Sequence, residues 1–291
     1  YKCRMLRQAS ETLAGRLEII RMAGFSLAEV GVEMQMRHWQ RGGFPLSFLA
    51  ASDADSLAWR RNFIQTFLER DLPQLGVSIS AASMFRFWNM LAHYHGQVWN
   101  AAETARNFEV SESTVRRYLD LLEGAFMVRQ LRPWFVNLGK RQIKSPKLYF
   151  RDTGILHQML GLREERDLWL HPKSGASWEG YVIEEVIKAV DPDEAYFWAT
   201  HSGAELDLLL FTGGRRVGVE CKRMDAPRLT PSMRSALTDL ALDHLIVLYP
   251  GERPYPLAER VTVLPLAYLA QGSQALDAAL AVHGATWISP P

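Results

Sequence analysis

The chain has 291 residues, 48% hydrophobic and 22% charged, an ordinary globular composition long enough for two or three domains. Its 33 basic and 32 acidic side chains leave a net charge of +1, which excludes a globally basic nucleic-acid binder and makes any such signal local. No apolar run reaches the ~18 residues of a membrane span, no secretory signal is evident, and Cys3 and Cys221 suggest no disulfide framework, so a reducing cytoplasm is expected.

The chain begins at Tyr1 rather than a methionine and is expected to be a piece of a longer protein. The stretch 83–96 reads as an amphipathic helix with Phe85, Trp88, Leu91 and Ala92 on its core side. A short helix follows over Ala101–Asn107, capped by Asn100, then a tight turn at Phe108–Val110. Ser111 caps a second helix, Glu112–Leu122, whose apolar stripe is Val115, Leu119 and Leu122. Helix, tight turn and Ser-capped helix make the shape of a helix-turn-helix. Its outer face offers Ser113, Thr114, Arg116 and Arg117, hydroxyl and guanidinium groups suited to phosphates and base edges. The same shape also serves as a protein–protein packing unit, and both readings stand.

A hairpin-like stretch over 126–150 carries Arg129, Arg132, Lys140, Arg141, Lys144 and Lys147, with no acidic residue between the first and last of them. This is the strongest charge asymmetry in the chain, the footprint expected of a basic wing on a nucleic-acid backbone. Lys144 and Lys147 are the preferred phosphate contacts, with Lys140 and Arg141 next. Trp134 and Phe135 are expected to pack in a core or at a domain interface, and Asp152 to cap the following helix.

Residues 177–190 read as a helix with Val182, Ile183, Val186 and Ile187 at helical spacing. Glu179 falls on that inward stripe, where a carboxylate is costly without a partner or a metal. Its alternatives are a first-turn acid favoured by the helix dipole or one half of a structural ion pair. Glu184, Glu185 and Lys188 fall on the polar side, expected to be solvated.

Glu205–Phe211 then reads as a buried strand, Gly213 and Gly214 as a turn, and Val217–Lys222 as a second strand. Side chains alternate, so Val217, Val219 and Cys221 point into the sheet interior while Gly218, Glu220 and Lys222 point the other way. On the first strand Asp207 shares a face with Glu205, opposite Leu206, Leu208 and Leu210. A hairpin would bring Asp207, Glu220 and Lys222 to one sheet edge. Two carboxylates and an ammonium can hold Mg²⁺ or Mn²⁺ against a phosphodiester, although exposed charges on a solvated hairpin look the same. Beyond them lie a Thr230–Pro231 helix start, a strand over 244–250, a strand and short helix over 260–270, and a tail, 272–291, expected as one loosely docked helix.

The spacing of Asp207 and the Glu220–Lys222 pair resembles the PD-(D/E)xK nuclease superfamily, in which a preceding helix often adds a Glu, here Glu179. The proline of that pattern is replaced by Leu206. In linear order, "SETLAGR" (10–16), "GGFPLSFLA" (42–50), "FIQTFLERDLPQLG" (63–76), "LGKRQIKSPKLYFRDTGIL" (138–156), "WEGYVIEEVI" (178–187) and "ELDLLL…VGVECK" (205–222) resemble the C-terminal part of a family of prokaryotic AAA+-type ATPases. The family's P-loop and acidic Walker B strand do not occur here, since no Gly-Lys-Ser/Thr is present.

The resemblance implies an α+β multidomain chain. It consists of an ATPase remnant and helical lid (1–80), a winged helix-turn-helix (81–150) and a restriction-endonuclease-like α/β domain with a mixed central sheet (151–291). It implies ATP only through the missing P-loop portion, Mg²⁺ or Mn²⁺ held by Asp207, Glu220 and Glu179 with Lys222 as the catalytic ammonium, and DNA or RNA as partner. A homo-oligomer also follows from it. Arg16 is carried over as a phosphate-sensing or intersubunit arginine, with a salt bridge as its alternative. Glu69, Arg70 and Asp71 are expected to form an ion-pair cluster. The functional expectation is a nucleic-acid-associated ATPase fragment with metal-dependent cleavage. The alternative is a non-catalytic DNA- or protein-binding module of nuclease-like fold.

Overall fold

Capping signals and apolar periodicity fix most of the helices where the sequence places them. The computed structural model describes residues 22–74, 79–135, 145–272 and 274. Arg16, Lys140, Arg141, Lys144 and nearly all of the tail lie outside the described residues. The chain is of α+β class with a mixed six-stranded sheet. Among the described residues no helix is long and apolar enough to cross a membrane.

The first elements are helical: α1 (Gln35–Arg41), α2 (Asp53–Thr66), which runs on through a π-helical turn over Phe67–Asp71, and α3 (Ala81–His93). On α3, Trp88, Leu91 and Ala92 are buried as expected. Phe85 is 44% exposed instead, and Met84 and Phe87 take the inward positions. After β1 (Gln97–Val98) come α4 (Ala101–Phe108) and α5 (Glu112–Gly124). The Asn100 side chain accepts from the amides of Ala102 and Glu103, and Ser111 from that of Thr114. These caps satisfy first-turn donors that would otherwise lack partners. Between the helices Glu109 adopts a left-handed conformation, φ 54°, which turns the chain. Val115, Leu119 and Leu122 bury against α3 and α4 residues in one cluster.

Two further strands, β2 (Val128–Leu131) and β3 (Lys147–Phe150), join β1 in a three-stranded antiparallel sheet of order β1-β3-β2. Alternation along β3 sends Leu148 and Phe150 into the helical cluster and Tyr149 into the main core. Lys147 shares the Tyr149 face, and this parity decides its fate below. Asp152 caps α6 (Thr153–Met159) by accepting from the Ile155 amide at 2.8 Å. A short α7 (Glu165–Leu170) leads to α8 (Ser174–Val190).

The six-stranded sheet has the order β4-β5-β6-β7-β9-β8. An antiparallel meander, β4 (Glu194–Ala199), β5 (Glu205–Thr212) and β6 (Arg215–Cys221), turns at Gly213 and Gly214, both at positive φ. Helix α9 (Pro231–Asp239), with Thr230 as cap and Pro231 in its first turn, crosses to β7 (His244–Tyr249), parallel to β6. β9 (Val261–Pro265) runs parallel to β7, and β8 (Tyr255–Ala258) closes the edge antiparallel to it. Helix α8 covers one face, in the cluster that holds Val182, Ile183, Val186, Leu208, Val219 and Ile246. Helix α9 covers the other, with Leu206, Leu209 and Val247.

Two expectations need correction here. Glu184 and Glu185 are 3% and 2% exposed rather than solvated. The polar side of α8 is covered by other parts of the chain: Glu184 pairs with Arg129 and Arg151, and Glu185 accepts from the Leu27 amide at 2.6 Å and pairs with Lys188. On β5, Leu208 and Leu210 lie in the α8-side cluster, while Leu206 lies on the α9 side. The cause is a bulge. Tyr196 pairs with Leu209 and Trp198 with Leu206, so Phe197 alone stands opposite both Asp207 and Leu208.

Candidate functional site

The bulge falls at the residue the sequence singles out. One extra residue in β5 re-aims the chain at Asp207, which is 8% exposed, and its Oδ2 accepts from the Cys221 amide at 2.8 Å. That bond ties β5 to the end of β6, where Glu220 (3% exposed) and Lys222 follow. Lys222 Nζ donates to Glu220 Oε2 at 2.6 Å. Cys221 packs against the α8-side core as expected, and burial drives its thiol well above the usual range.

Glu179 approaches from α8. It is half-buried, accepts from the Tyr149 hydroxyl, and lies 3.3 Å from Lys147 Nζ. Lys147 also pairs with Glu205 at the start of β5. Asp207 is the electrostatic hub. Burial first, and the Asp207 carboxylate second, push Glu179 up to about 7 and Glu220 up to about 8. Burial opposes the charge on Lys147 and Lys222, but the surrounding carboxylates outweigh it and raise both ammonium groups above their ordinary value.

The structure thus brings Glu179, Asp207, Glu220 and Lys222 into one electrostatically linked region, with the charge of Asp207 acting on both glutamates. The oxygen donors suit a hard divalent cation. Among the described residues, however, no group of three or more His, Cys, Asp or Glu is placed to hold a metal ion. The partners in place are ammonium groups and hydroxyl or amide donors.

Lys147, expected as an exposed phosphate contact on a wing, is 5% exposed and faces this region instead. Its parity with Tyr149 on β3 turns it inward. Tyr149, Lys147 and Glu205 are participants that sequence reasoning missed. The available signal is the alternation Lys147–Leu148–Tyr149–Phe150, which puts Lys147 on the Tyr149 face. The other basic and polar candidates lie elsewhere. Ser113, Arg116 and Arg117 are exposed on α5, Thr114 is partly buried there, and Arg116 makes only a 3.5 Å pair with Glu112. Trp134 packs against Tyr196 and Phe211 at ring distances of 5.0 and 4.8 Å, an interface as expected, whereas Phe135 is 53% exposed.

Comparison with known proteins divides the chain in two. A domain of unknown function, DUF8612, matches residues 32–166, and a second, DUF4143, matches residues 174–269. The join between the two matches falls at the α7–α8 connection, so Glu179, Asp207, Glu220 and Lys222 lie within the second match and Lys147 within the first. Over 257 residues, 88% of its length, the chain is 52% identical to the uncharacterized protein Rv2008c of Mycobacterium tuberculosis. It is equally similar to the uncharacterized protein Mb2031c of Mycobacterium bovis. The chain spans 58% of the length of each of these relatives. No solved structure matches it.

Proposed function

We propose that this chain is the nucleic-acid-contacting part of a larger ATPase-type protein, a winged helix docked on a PD-(D/E)xK-like unit that binds without cutting. The observation that carries the reading is α5: its apolar stripe is wholly buried while Ser113, Arg116 and Arg117 on the opposite face stay exposed. A Ser-capped helix presenting guanidinium groups, set beside α4 and a three-stranded antiparallel sheet, can enter a major groove. The non-cutting part is supported by the cluster around Asp207, where Glu179 and Glu205 are paired with Lys147 and Glu220 with Lys222, and no group of three or more described ligands is placed to hold a metal ion.

Duplex binding titrated over a range of salt concentrations tests this. The double variant R116A/R117A should bind about tenfold more weakly, with the salt slope reduced by about 2. Equal affinity of variant and parent would remove the winged helix as the contact. Under this reading the duplex stays intact when Mn²⁺ is added. Cutting that disappears in Asp207→Ala would replace it with a nuclease.

A further inference from the structure

Lys147 is an ammonium with no route to a nucleic-acid backbone, buried where two units of the chain meet. Its Nζ lies 3.3 Å from Glu179 Oε1, pairs with Glu205, and sits 5.6 Å from the centroid of the Phe197 ring. Tyr149, two residues on and on the same face of β3, donates its hydroxyl to the same Glu179 oxygen. A single strand therefore delivers two donors to one carboxylate of another unit. Asp207 completes the setting: its side-chain hydrogen bond runs to the Cys221 amide, and it acts on Lys147 through its charge. Glu220 already has Lys222 at 2.6 Å. Among the described residues, the cation that acts on Glu179, Glu205 and Asp207 together is thus Lys147.

We propose that Lys147 is the resident cation of the Glu179–Glu205–Asp207 cluster, by which strand β3 plugs the carboxylate site of the six-stranded unit. The proposal rests on the nuclease-like reading of that unit. It accounts for a donor set of divalent-ion type that is not gathered into a three-ligand group: the charge is supplied internally by a point cation that needs no multidentate shell. Removing the ammonium leaves carboxylates with no matching charge, a strongly unfavourable state. With Lys147 gone, Glu179 and Glu205 no longer close on its Nζ, and they are free to draw in around a divalent ion that takes the ammonium's place.

Thermal unfolding of the full chain, without nucleic acid, tests this in metal-free buffer and with millimolar Mn²⁺. The parent and Lys147→Arg should melt at nearly the same temperature with and without Mn²⁺. Lys147→Met should melt several degrees lower and recover much of that loss in Mn²⁺. The double variant K147M/E179Q should lose the response. If K147M folds only when Mn²⁺ is present, the proposal is supported; if it fails to fold in Mn²⁺ as well, it is overturned. An equal Mn²⁺ shift in parent and K147M, or K147M melting like the parent without metal, also overturns it. The outcome of the duplex experiment with Mn²⁺ leaves this melting result unaffected, so the two readings fail separately.

Discussion

Burial and like charge act together on Glu220 and Glu179, and each is pushed by the same neighbour, Asp207. Both carboxyls have an ordinary value of 4.5, and in the folded chain Glu179 sits at about 7 and Glu220 at about 8. The folded state therefore holds protons that the unfolded chain has released, and stability falls as pH rises through this window. The groups facing them do not titrate there: Lys147 and Lys222 are raised, and the Tyr149 hydroxyl is raised well above its ordinary value. The shifted imidazoles lie on the other side. His38, His95, His157 and His171 are pushed down chiefly by burial, His95 and His157 to about 3, so their contribution is complete above 6.5 and is lost only on acidification. Between pH 6.5 and 8.5 the melting temperature should fall, corresponding to on the order of 1–2 kcal/mol. Glu220→Gln should flatten that slope, and a parent already flat over this range would contradict the buried-carboxylate account.

Among the elements, α8 is the most constrained, because it meets the six-stranded sheet on one side and the three-stranded unit on another. Gly180 marks the closest approach: a Cβ there would stand 2.3 Å from His95 Nε2 and 3.1 Å from the Tyr149 ring. His95 cannot retreat easily, since its Nδ1 accepts from the Phe150 amide at 3.0 Å and its Nε2 donates to the Ala176 carbonyl at 3.1 Å. Gly180→Ala should cost about 1–3 kcal/mol in urea unfolding by overpacking. Gly175→Ala, one turn earlier where an added Cβ meets nothing within 4 Å, should be neutral or mildly stabilising. Equal effects at the two positions would remove the close-approach argument. What was legible in the sequence follows the same division between local and tertiary causes. The caps at Asn100, Ser111, Asp152 and Thr230 and the hairpin at Gly213–Gly214 are local, and each is found where it was expected. Strand β4 was not anticipated although Tyr196, Phe197 and Trp198 offered an aromatic signal, and β8, with Pro256 in it, had a weaker one. The bulge at Asp207 and the burial of Glu184 and Glu185 depend on contacts between distant segments, which periodicity within one element does not report, whereas the face of Lys147 follows from its alternation with Tyr149 along β3.

At the scale of the whole molecule, the main hydrophobic core ignores the boundaries drawn from sequence. It joins Leu27 and Trp39 near the start, Leu131 and Tyr149 from the three-stranded unit, and Trp178, Phe197, Leu208, Val219 and Ile246 from the six-stranded one. Trp39 is wholly buried, donates to Ser177 Oγ at 3.0 Å and meets the Trp178 ring at 5.3 Å. Residues 132–134 also extend the β4 edge: the Trp134 amide donates to the Phe197 carbonyl at 2.7 Å and the Phe197 amide to Arg132 at 3.0 Å. An otherwise open sheet edge is thereby covered by the unit that precedes it. Cutting the chain before α8 would remove Leu27, Trp39, Leu131 and Tyr149 from this core, uncover that edge and leave Glu179 without Tyr149 or Lys147. Truncation of a large buried aromatic alone costs about 3–5 kcal/mol, a large share of ordinary domain stability. Residues 174–272 expressed alone should therefore melt well below the full chain or aggregate, in spite of containing every strand of the six-stranded sheet. A fragment that unfolds cooperatively at the full chain's temperature would show that the shared core is dispensable. It would also separate the carboxylate cluster from its lysine plug.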